Sequence, residues 1–444
     1  MATVSLRAPL KGARRDARKV SPARVATAAM IGTSIEWYDF FVYGTSAVLV
    51  LGPLFFPTTN PVTGTLLAFS TFGIGFLVRP LGAVVLSHIG DRFGRKRALV
   101  LSLLLMGVAT TAVGLLPTHE RIGIWAPLLL VLLRCAQGFA VGGEWGGAVL
   151  MAVEHAPPER RAWYGSFPQW GTPLGLAASS LAILGARAVS GDGFLVWGWR
   201  LPFLFSAALV LVGLWVRSRL ADAEEFAGVQ RLGLTLRYPV AELVRRYRRP
   251  WLIGVATTVV CHAAYLITAF LPAYATGTLG VSSQWSLVGL VVASAVAMLV
   301  LVAVGLRADR IDRRRYAGAG ALFAGVWMFA AFALAESLGG PGLVIGMTVG
   351  FAAVTVQSTL LPSLLAEQFP VHVRYTGVSA CFHLSALLAG ALLPLLASWL
   401  VGLSGDASWP ASVLMLAAGL VSLLGAARCR PPAVTPARKR RTPR

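Results

Sequence analysis

Val25–Leu51 reads VATAAMIGTSIEWYDFFVYGTSAVLVL, an apolar stretch long enough to cross a bilayer as a helix. It nevertheless carries Glu36 and Asp39. A charge at the centre of a spanning helix costs roughly 2.5–3.5 kcal/mol even on insertion-based scales. Two carboxylates three residues apart in such a place mark a site that the protein uses, and they give a point from which to read the rest of the chain.

The 444 residues are 56% hydrophobic and 13% charged, with a mean hydropathy of +0.71. Long apolar runs recur from end to end, the pattern of a polytopic membrane protein. Inside hydrocarbon only helices or closed barrels satisfy the backbone, and runs of this length read as helices. Twelve spans are expected, at residues 25–51, 63–87, 98–117, 124–153, 162–187, 197–217, 251–276, 285–306, 316–336, 341–366, 377–401 and 409–428. The fold class is therefore an all-α membrane protein.

A net charge of +21 would suggest nucleic acid in a soluble protein. Its placement decides otherwise. Lys and Arg crowd the N-terminal tail, the 88–97 loop (Arg92, Arg95, Lys96, Arg97), Arg160 and Arg161, the central segment, the 307–315 loop and the C-terminal tail. The opposite loops hold only Arg121, Arg187 and Arg200, while Arg79 and Arg134 fall within spans. This positive-inside asymmetry predicts a multi-pass protein of the cell (inner) membrane with both termini cytoplasmic, and argues against nucleic acid. The basic N-terminus resembles a targeting peptide in charge, but the apolar segment after it is too long for one and has no small-residue cleavage site, so it reads as a retained tail. Cys135, Cys261, Cys381 and Cys429 lie in or beside spans without metal-like spacing, and packing is their expected role.

The segment 217–250 is the only long polar interruption and divides six spans from six. An internal repeat supports the cut. Asp91-Arg92-Phe93-Gly94-Arg95 matches Asp309-Arg310-Ile311-Asp312-Arg313 at an offset of 218 residues, and Glu154, Pro157 and Arg161 match Glu367, Pro370 and Arg374 at 213. Duplicated six-helix bundles related by an axis along the membrane normal follow. The expected units are a tail at 1–24, a bundle at 25–217, a cytoplasmic loop at 218–250, a bundle at 251–428 and a tail at 429–444. Within the loop, residues 236–249 (LRYPVAELVRRYRR) suit either a basic amphipathic helix on the inner leaflet or a solvated linker.

On a helix, Glu36, Asp39, Phe40 and Tyr43 form one stripe with Gly32 above it. In span four, Arg134, Gly138 and Gly142 give R-x-x-x-G-x-x-x-G, whose small residues admit a close neighbour. A cation in lipid needs a partner, and for Arg134 the expected ones are Glu36, Asp39 and Glu144. The bland reading, a structural tie between spans one and four, stays open beside a proton-coupling one. Gln137 shares the arginine's helix. Further polar groups in spans are Gln169 and Trp170 between Pro168 and Pro173, prolines that bend a helix, then Thr258, His262 and Tyr265, Gln357 with Thr355, Ser358 and Thr359, and Ser379 with His383. Hydroxyls in spans commonly bond back to their own helix. Glu154, Glu367, Arg161 and Arg374 read as structural ion pairs at the inner mouth.

The loop His88–Arg97 resembles the G-x-x-x-D-R-x-G-R-K loop of the major facilitator superfamily, with Ser87 at the first glycine. The resemblance implies a gating role for Gly90, Asp91, Arg92, Gly94 and Arg95, and for Asp309 and Arg310 in the second copy, where Asp312 in place of glycine puts a symmetric latch in doubt. The superfamily's span-four arginine is linked to proton transfer. Glu36-Trp37-Tyr38-Asp39-Phe40, Arg79-Pro80-Leu81-Gly82, Arg134 to Gly147, Trp199-Arg200-Leu201-Pro202-Phe203 and Phe369 to Gly377 narrow the likeness to the metabolite:proton symporter branch. That branch implies inward symport of organic acids, aromatic-pathway acids or zwitterionic osmolytes. The short basic C-terminal tail without heptads is unlike the osmosensing osmolyte porters, which tilts the expectation towards an organic acid.

The resulting expectation is a monomeric proton-coupled transporter in a lipid bilayer, taking up a small organic acid by alternating access and using no cofactor or metal. Glu36, Asp39, Arg134 and Glu144 serve proton coupling; Tyr43, Gln137, Gln169, Trp170, His262, Tyr265, Gln357 and His383 bind solute around a midplane cavity. An osmolyte importer and a proton-coupled exporter are the alternatives; Gly171-Thr172-Pro173-Leu174-Gly175 meets the superfamily's antiporter signature only in part. No phosphate-binding loop, H-E-x-x-H or G-x-S-x-G argues for an enzyme.

Overall fold

The computed structural model describes residues 21–57, 61–220, 223–233, 236 and 238–430. Most of the two basic tails lies outside them, as do residues 221, 222, 234, 235 and 237 of the central segment. Twelve long helices carry the chain: α1 (Pro22–Ser46), α2 (Pro61–Phe93), α3 (Arg95–Leu115), α4 (Trp125–His155), α5 (Gly171–Ser190), α6 (Arg200–Ser218), α7 (Arg248–Ala263), α8 (Ser283–Gly305), α9 (Arg313–Leu338), α10 (Gly340–Ala366), α11 (Arg374–Ser385) and α12 (Trp409–Arg428). Among the described residues 11 spans are apolar and long enough to cross a membrane, and α1, with its two carboxylates, is the twelfth.

In the first half α2 and α3 pack on α4, α3 on α6 and α1 on α5; in the second, α8 and α9 pack on α10, α9 on α12 and α7 on α11 and α12. The halves meet where α11 faces α2 and α4, where α10 faces α4, and where α5 faces α8.

Three spans leave the α-helical path, which their apolar patterns did not foretell. α1 runs into a π turn at Ala47–Leu51, α7 at Leu266–Phe270 and α11 at Ala386–Ala391. Such turns accompany functional sites in many helices. Span five breaks as its prolines predict: Pro168 lies in a 3₁₀ turn, Phe167–Trp170, ahead of α5. Gln169 and Trp170 therefore stand in that turn, not inside the helix.

Glycines set the closest contact of the first half. A Cβ on Gly138 would run into the backbone of Gly75, one on Gly142 into that of Arg79, and one on Gly82 into that of Phe139. The neighbour that the span-four glycines admit is thus α2, and the approach lays Arg134 over Gly75. In the central segment the amphipathic helix forms over Pro239–Arg246. Its Leu243 is buried among Ala98, Phe369 and Tyr375, so its apolar side packs on the bundles, with Arg245 and Arg246 exposed.

Gly138→Leu should wedge α2 from α4 and cost about 1–3 kcal/mol, the usual penalty of overpacking. Thermal unfolding of the purified protein checks this, with Gly185→Leu, where a side chain meets nothing within 4 Å, expected to be neutral.

Candidate functional site

The α1 stripe is buried as its spacing predicts, but its two carboxylates look into different places. Asp39 is fully buried; its Oδ1 accepts a hydrogen bond from Ser206 Oγ of α6 at 2.6 Å, and its Oδ2 has no hydrogen-bond partner among the described residues. Glu36 Oε2 is also buried with none among them. Glu36 shares with Gly32, Ser102, Met106 and Glu144 a cavity of about 10 Å³, room for one water molecule at most.

Arg134 does not pair with these acids. Its Nη1 donates to Gln137 Oε1 at 3.2 Å, and Gln137 Nε2 donates to Thr110 Oγ1 at 2.8 Å. Thr110 stands beside Asp39, so Arg134 reaches Asp39 through two side chains and not by contact. The guanidinium lies 4.2 Å from the Tyr43 ring centroid, and Tyr43 Oη bonds to Thr71. Glu144 is taken by another cation, Arg217 of α6. The pair is buried; Arg217 also donates to the Leu99 carbonyl, and Ser102 Oγ donates to Glu144 Oε2 at 2.8 Å. The Arg217 guanidinium fills the space where Gly32 lacks a side chain. The expectation that Arg134 gathers Glu36, Asp39 and Glu144 is thereby corrected. Arg217 closes the first bundle in sequence and reads as a loop residue, which is why it was missed.

Arg79 was also missed, although an arginine inside a span carries the same message as Arg134. It is 6% exposed and makes no hydrogen bond or ion pair with any described residue. Its guanidinium sits 4.1 Å from the Phe76 centroid and 5.0 Å from that of Phe40, which is cation–π range. Phe76 meets the Tyr265 ring of α7 edge-on at 5.9 Å. His262 Nδ1 is 2.7 Å from Ser385 Oγ, while neither ring nitrogen of buried His383 has a partner among the described residues. Tyr43 and Gln137 thus lie on Arg134, and Tyr265 lies on Phe76 beside Arg79, with His262 next to Tyr265 where Gly390 lacks a side chain. Phe40 stands between the two arginines, its centroid 5.0 Å from Arg79 and 5.7 Å from Arg134.

Gln357 departs from that centre. Its amide donates to the Thr257 carbonyl, tying α10 to α7. Thr258, Thr355, Ser358 and Thr359 bond back to their own helices, as expected of hydroxyls in spans. Gln169 also serves as a tie: it accepts from Trp145 Nε1 at 2.9 Å and donates to the Ser358 carbonyl at 2.8 Å, joining the halves. Beside it Trp145 stacks on Phe382 at 3.6 Å and 11°. Trp170 is half-buried with its indole N–H unpartnered.

Towards the basic face the halves are latched twice. Asp91 accepts from the Thr376 N–H and hydroxyl, both at 2.8 Å, and from the Tyr375 N–H at 3.3 Å, capping α11 across the interface. Asp309 accepts from the Ala162 and Trp163 N–H groups at 2.8 and 3.0 Å. Burial raises the Asp309 carboxyl above its usual range, while those N–H groups and Arg313 pull it back. The doubt about a symmetric latch is corrected: Asp312 caps its own helix through Arg314 N, and Asp309 is untouched by it. Gly94 takes a positive φ of 113° that favours glycine, and Gly90 leaves room for the Tyr375 ring. Glu154 is clamped by Arg95 at 3.0 Å and Arg374 at 2.9 Å, and Glu367 pairs with Arg313 at 2.9 Å. Arg92 and Arg310 each follow their aspartate by one residue and are exposed.

The profile of the Major Facilitator Superfamily matches residues 29–381. The inner membrane metabolite transport protein YhjE of Escherichia coli is 39% identical over 389 residues, 85% of this chain and 87% of its own length. The shikimate transporter of Escherichia coli is 38% identical over 411 residues, covering 91% and 93%. The proline/betaine transporter of Salmonella typhimurium is 33% identical over 413 residues, covering 90% and 82%. Among solved structures the proton:xylose symporter XylE, bound to 6-bromo-6-deoxy-D-glucose, superposes with a TM-score of 0.73 at 17% identity, over 91% of this chain and 94% of its own. That last likeness is one of fold.

Two outcomes test this geometry. Glu144→Gln should strand the buried Arg217 and cost about 3–5 kcal/mol, and adding Arg217→Gln should recover much of it, as a thermal double-mutant cycle will read. Asp91→Ala should loosen the basic face and raise the labelling of a cysteine placed at Ser379, in a background without the four native cysteines.

Proposed function

The chain belongs to the major facilitator superfamily, and on that premise we propose that it is a proton-coupled symporter bringing a small organic acid into the cell. As a member it is a multi-pass membrane transporter of metabolites and not an enzyme. The finer reading rests chiefly on Arg79. A guanidinium buried at the junction of the halves with no hydrogen bond or salt bridge among the described residues is costly unless an anion visits it. With Arg134 nearby across the Phe40 ring, the centre suits a carboxylate.

The osmolyte reading has its own support in the aromatic rings, since cation–π contact recognises quaternary ammonium groups. Here Arg79 and Arg134 already occupy the faces of Phe76 and Tyr43, so a ligand cation would meet like charge. The acid fits better. For the proton, Asp39 and Glu36 are the available seats, each with an oxygen free of other bonds. The basic face is assigned to the cytoplasm of the inner membrane by its Arg-rich loops. The structure is then the inward-closed form, and opening breaks the Asp91 and Asp309 caps, the Glu154 clamp and the Trp145–Phe382 stack.

Uptake into proteoliposomes under an imposed inward proton gradient tests the proposal, with shikimate, 2-oxoglutarate, citrate, benzoate, proline and betaine as solutes. Accumulation of an acid is expected. Accumulation of betaine alone, or gradient-driven export alone, would sink it. The Glu36→Gln/Asp39→Asn double variant should lose accumulation yet retain solute counterflow; if accumulation survives in it, these carboxylates do not couple the proton.

A further inference from the structure

On the outer side of the second bundle a groove of about 280 Å³ runs between α7 and α12. Its origin is a close contact. A Cβ on Gly425 would lie 2.5 Å from Thr257 N, and Ser422 Oγ donates to the Ala256 carbonyl at 3.0 Å. The two backbones meet at that seam, so the space outside it is left between the longer side chains of Leu252 and Ile253 on one helix and of Val421 and Leu424 on the other. Leu252, Val421 and Leu424 are exposed, so the groove opens outward, where a spanning helix meets lipid. An apolar hollow left empty forfeits dispersion contacts along its lining, and a flexible acyl chain is the partner that can enter it.

The end of the groove at the basic face is charged. Arg428 lines it there. Arg249 stands three, four and seven residues before Leu252, Ile253 and Ala256, which puts it on their side of α7 and about one turn nearer the basic end. Both arginines are exposed, and neither has an ion pair among the described residues. Arg428 Nη1 donates only to the Leu424 carbonyl of its own helix, at 3.4 Å. The nearby end of α10, where Gln368 Oε1 accepts from Arg430 N at 3.2 Å, offers no free acid, because its Glu367 is held by Arg313 at 2.9 Å.

We propose that this groove is a site for one anionic phospholipid from the leaflet at the basic face, with an acyl chain lying along the seam of α7 and α12 and the phosphate held by Arg428 and Arg249. The chain accounts for the apolar lining and the phosphate for the two unpaired guanidiniums, whose forked N–H groups suit phosphate oxygens. A basic pocket between spans at this level is a form that lipid headgroup recognition takes. Neither helix supplies one of the caps that join the halves, so the site is independent of which solute is carried and of how the proton is coupled.

The test is lipid binding to the delipidated full-length chain in detergent, with adducts counted by native mass spectrometry. Phosphatidylglycerol is the probe, and phosphatidylcholine of the same acyl chains is the net-neutral control. The wild type should bind one phosphatidylglycerol about 30-fold more tightly than phosphatidylcholine, since two arginines at a membrane surface each add about fivefold. Arg249→Gln/Arg428→Gln should erase that preference. Arg245→Gln/Arg246→Gln, which removes two exposed arginines of the Pro239–Arg246 helix, should keep it. Ala256→Phe, which fills the groove and leaves its arginines, should weaken phosphatidylglycerol binding. The proposal is overturned if the wild type binds the two lipids alike, if the Arg245/Arg246 variant loses the preference as fully as the groove variant, or if Ala256→Phe binds phosphatidylglycerol unchanged. A dimer of the chain in place of lipid adducts would give the groove to a second copy and overturn it too. The arginine variants alter only exposed side chains, so they decide the question even where Ala256→Phe does not fold.

Discussion

An ion buried in a membrane protein has to be matched, because hydrocarbon offers no water to do it. The first bundle matches most of its buried ions, some within itself and some across the interface. Glu144 holds Arg217, Glu154 holds Arg95 and Arg374, and Asp91 takes three donors from the start of α11. What these pairings leave over is Glu36, the outer oxygen of Asp39, and Arg79. Two of these can be satisfied by a proton and one by an anion. A proton and an anion, the cargo proposed above, would satisfy this set, and Arg79 lies where α2 meets the second bundle.

The same ions also decide how the bundles hold each other. Asp91 and Asp309 do equivalent work on opposite halves, each presenting a carboxylate to the exposed N–H groups at a helix start. These contacts are strong because one partner is charged, and each is worth about 1.5–3 kcal/mol. All of them cross the interface, so they are lost together when the basic face opens. On the proposed reading, binding of an anion at Arg79 contributes towards offsetting that loss. The Gly138 and Gly142 contact serves this indirectly: it fixes α2 to α4, so Arg79 and Arg134 move as one unit.

Much of this was legible in the chain. Hydropathy and the loop charges specified twelve helices, and the 218- and 213-residue offsets located the repeat that Asp91 and Asp309 now express in space. The spacing of Gly138 and Gly142 foretold a close helix. Several features escaped, each for a physical reason. Arg217 sits at a span end, where a basic residue is the rule, so nothing marked it as buried. The partner of Glu144 depends on which helix lies across from it, and helical periodicity gives the face but not the neighbour. The π turns at Leu266 and Ala386 arise from packing in runs whose apolar pattern is continuous. Gln357 had the right residue type and depth, yet it faces the α7 backbone.

On the proposed reading an organic acid and a proton enter together, the acid at Arg79 and the proton on the Glu36/Asp39 pair. Proton uptake on adding an organic acid to the purified protein in weakly buffered solution, followed with a pH-sensitive dye, is the direct measurement. Protons should be taken up in step with anion bound, and that uptake should be lost in the Glu36→Gln/Asp39→Asn variant while the acid still binds. Binding of the acid with no proton uptake, or with proton release, would contradict it.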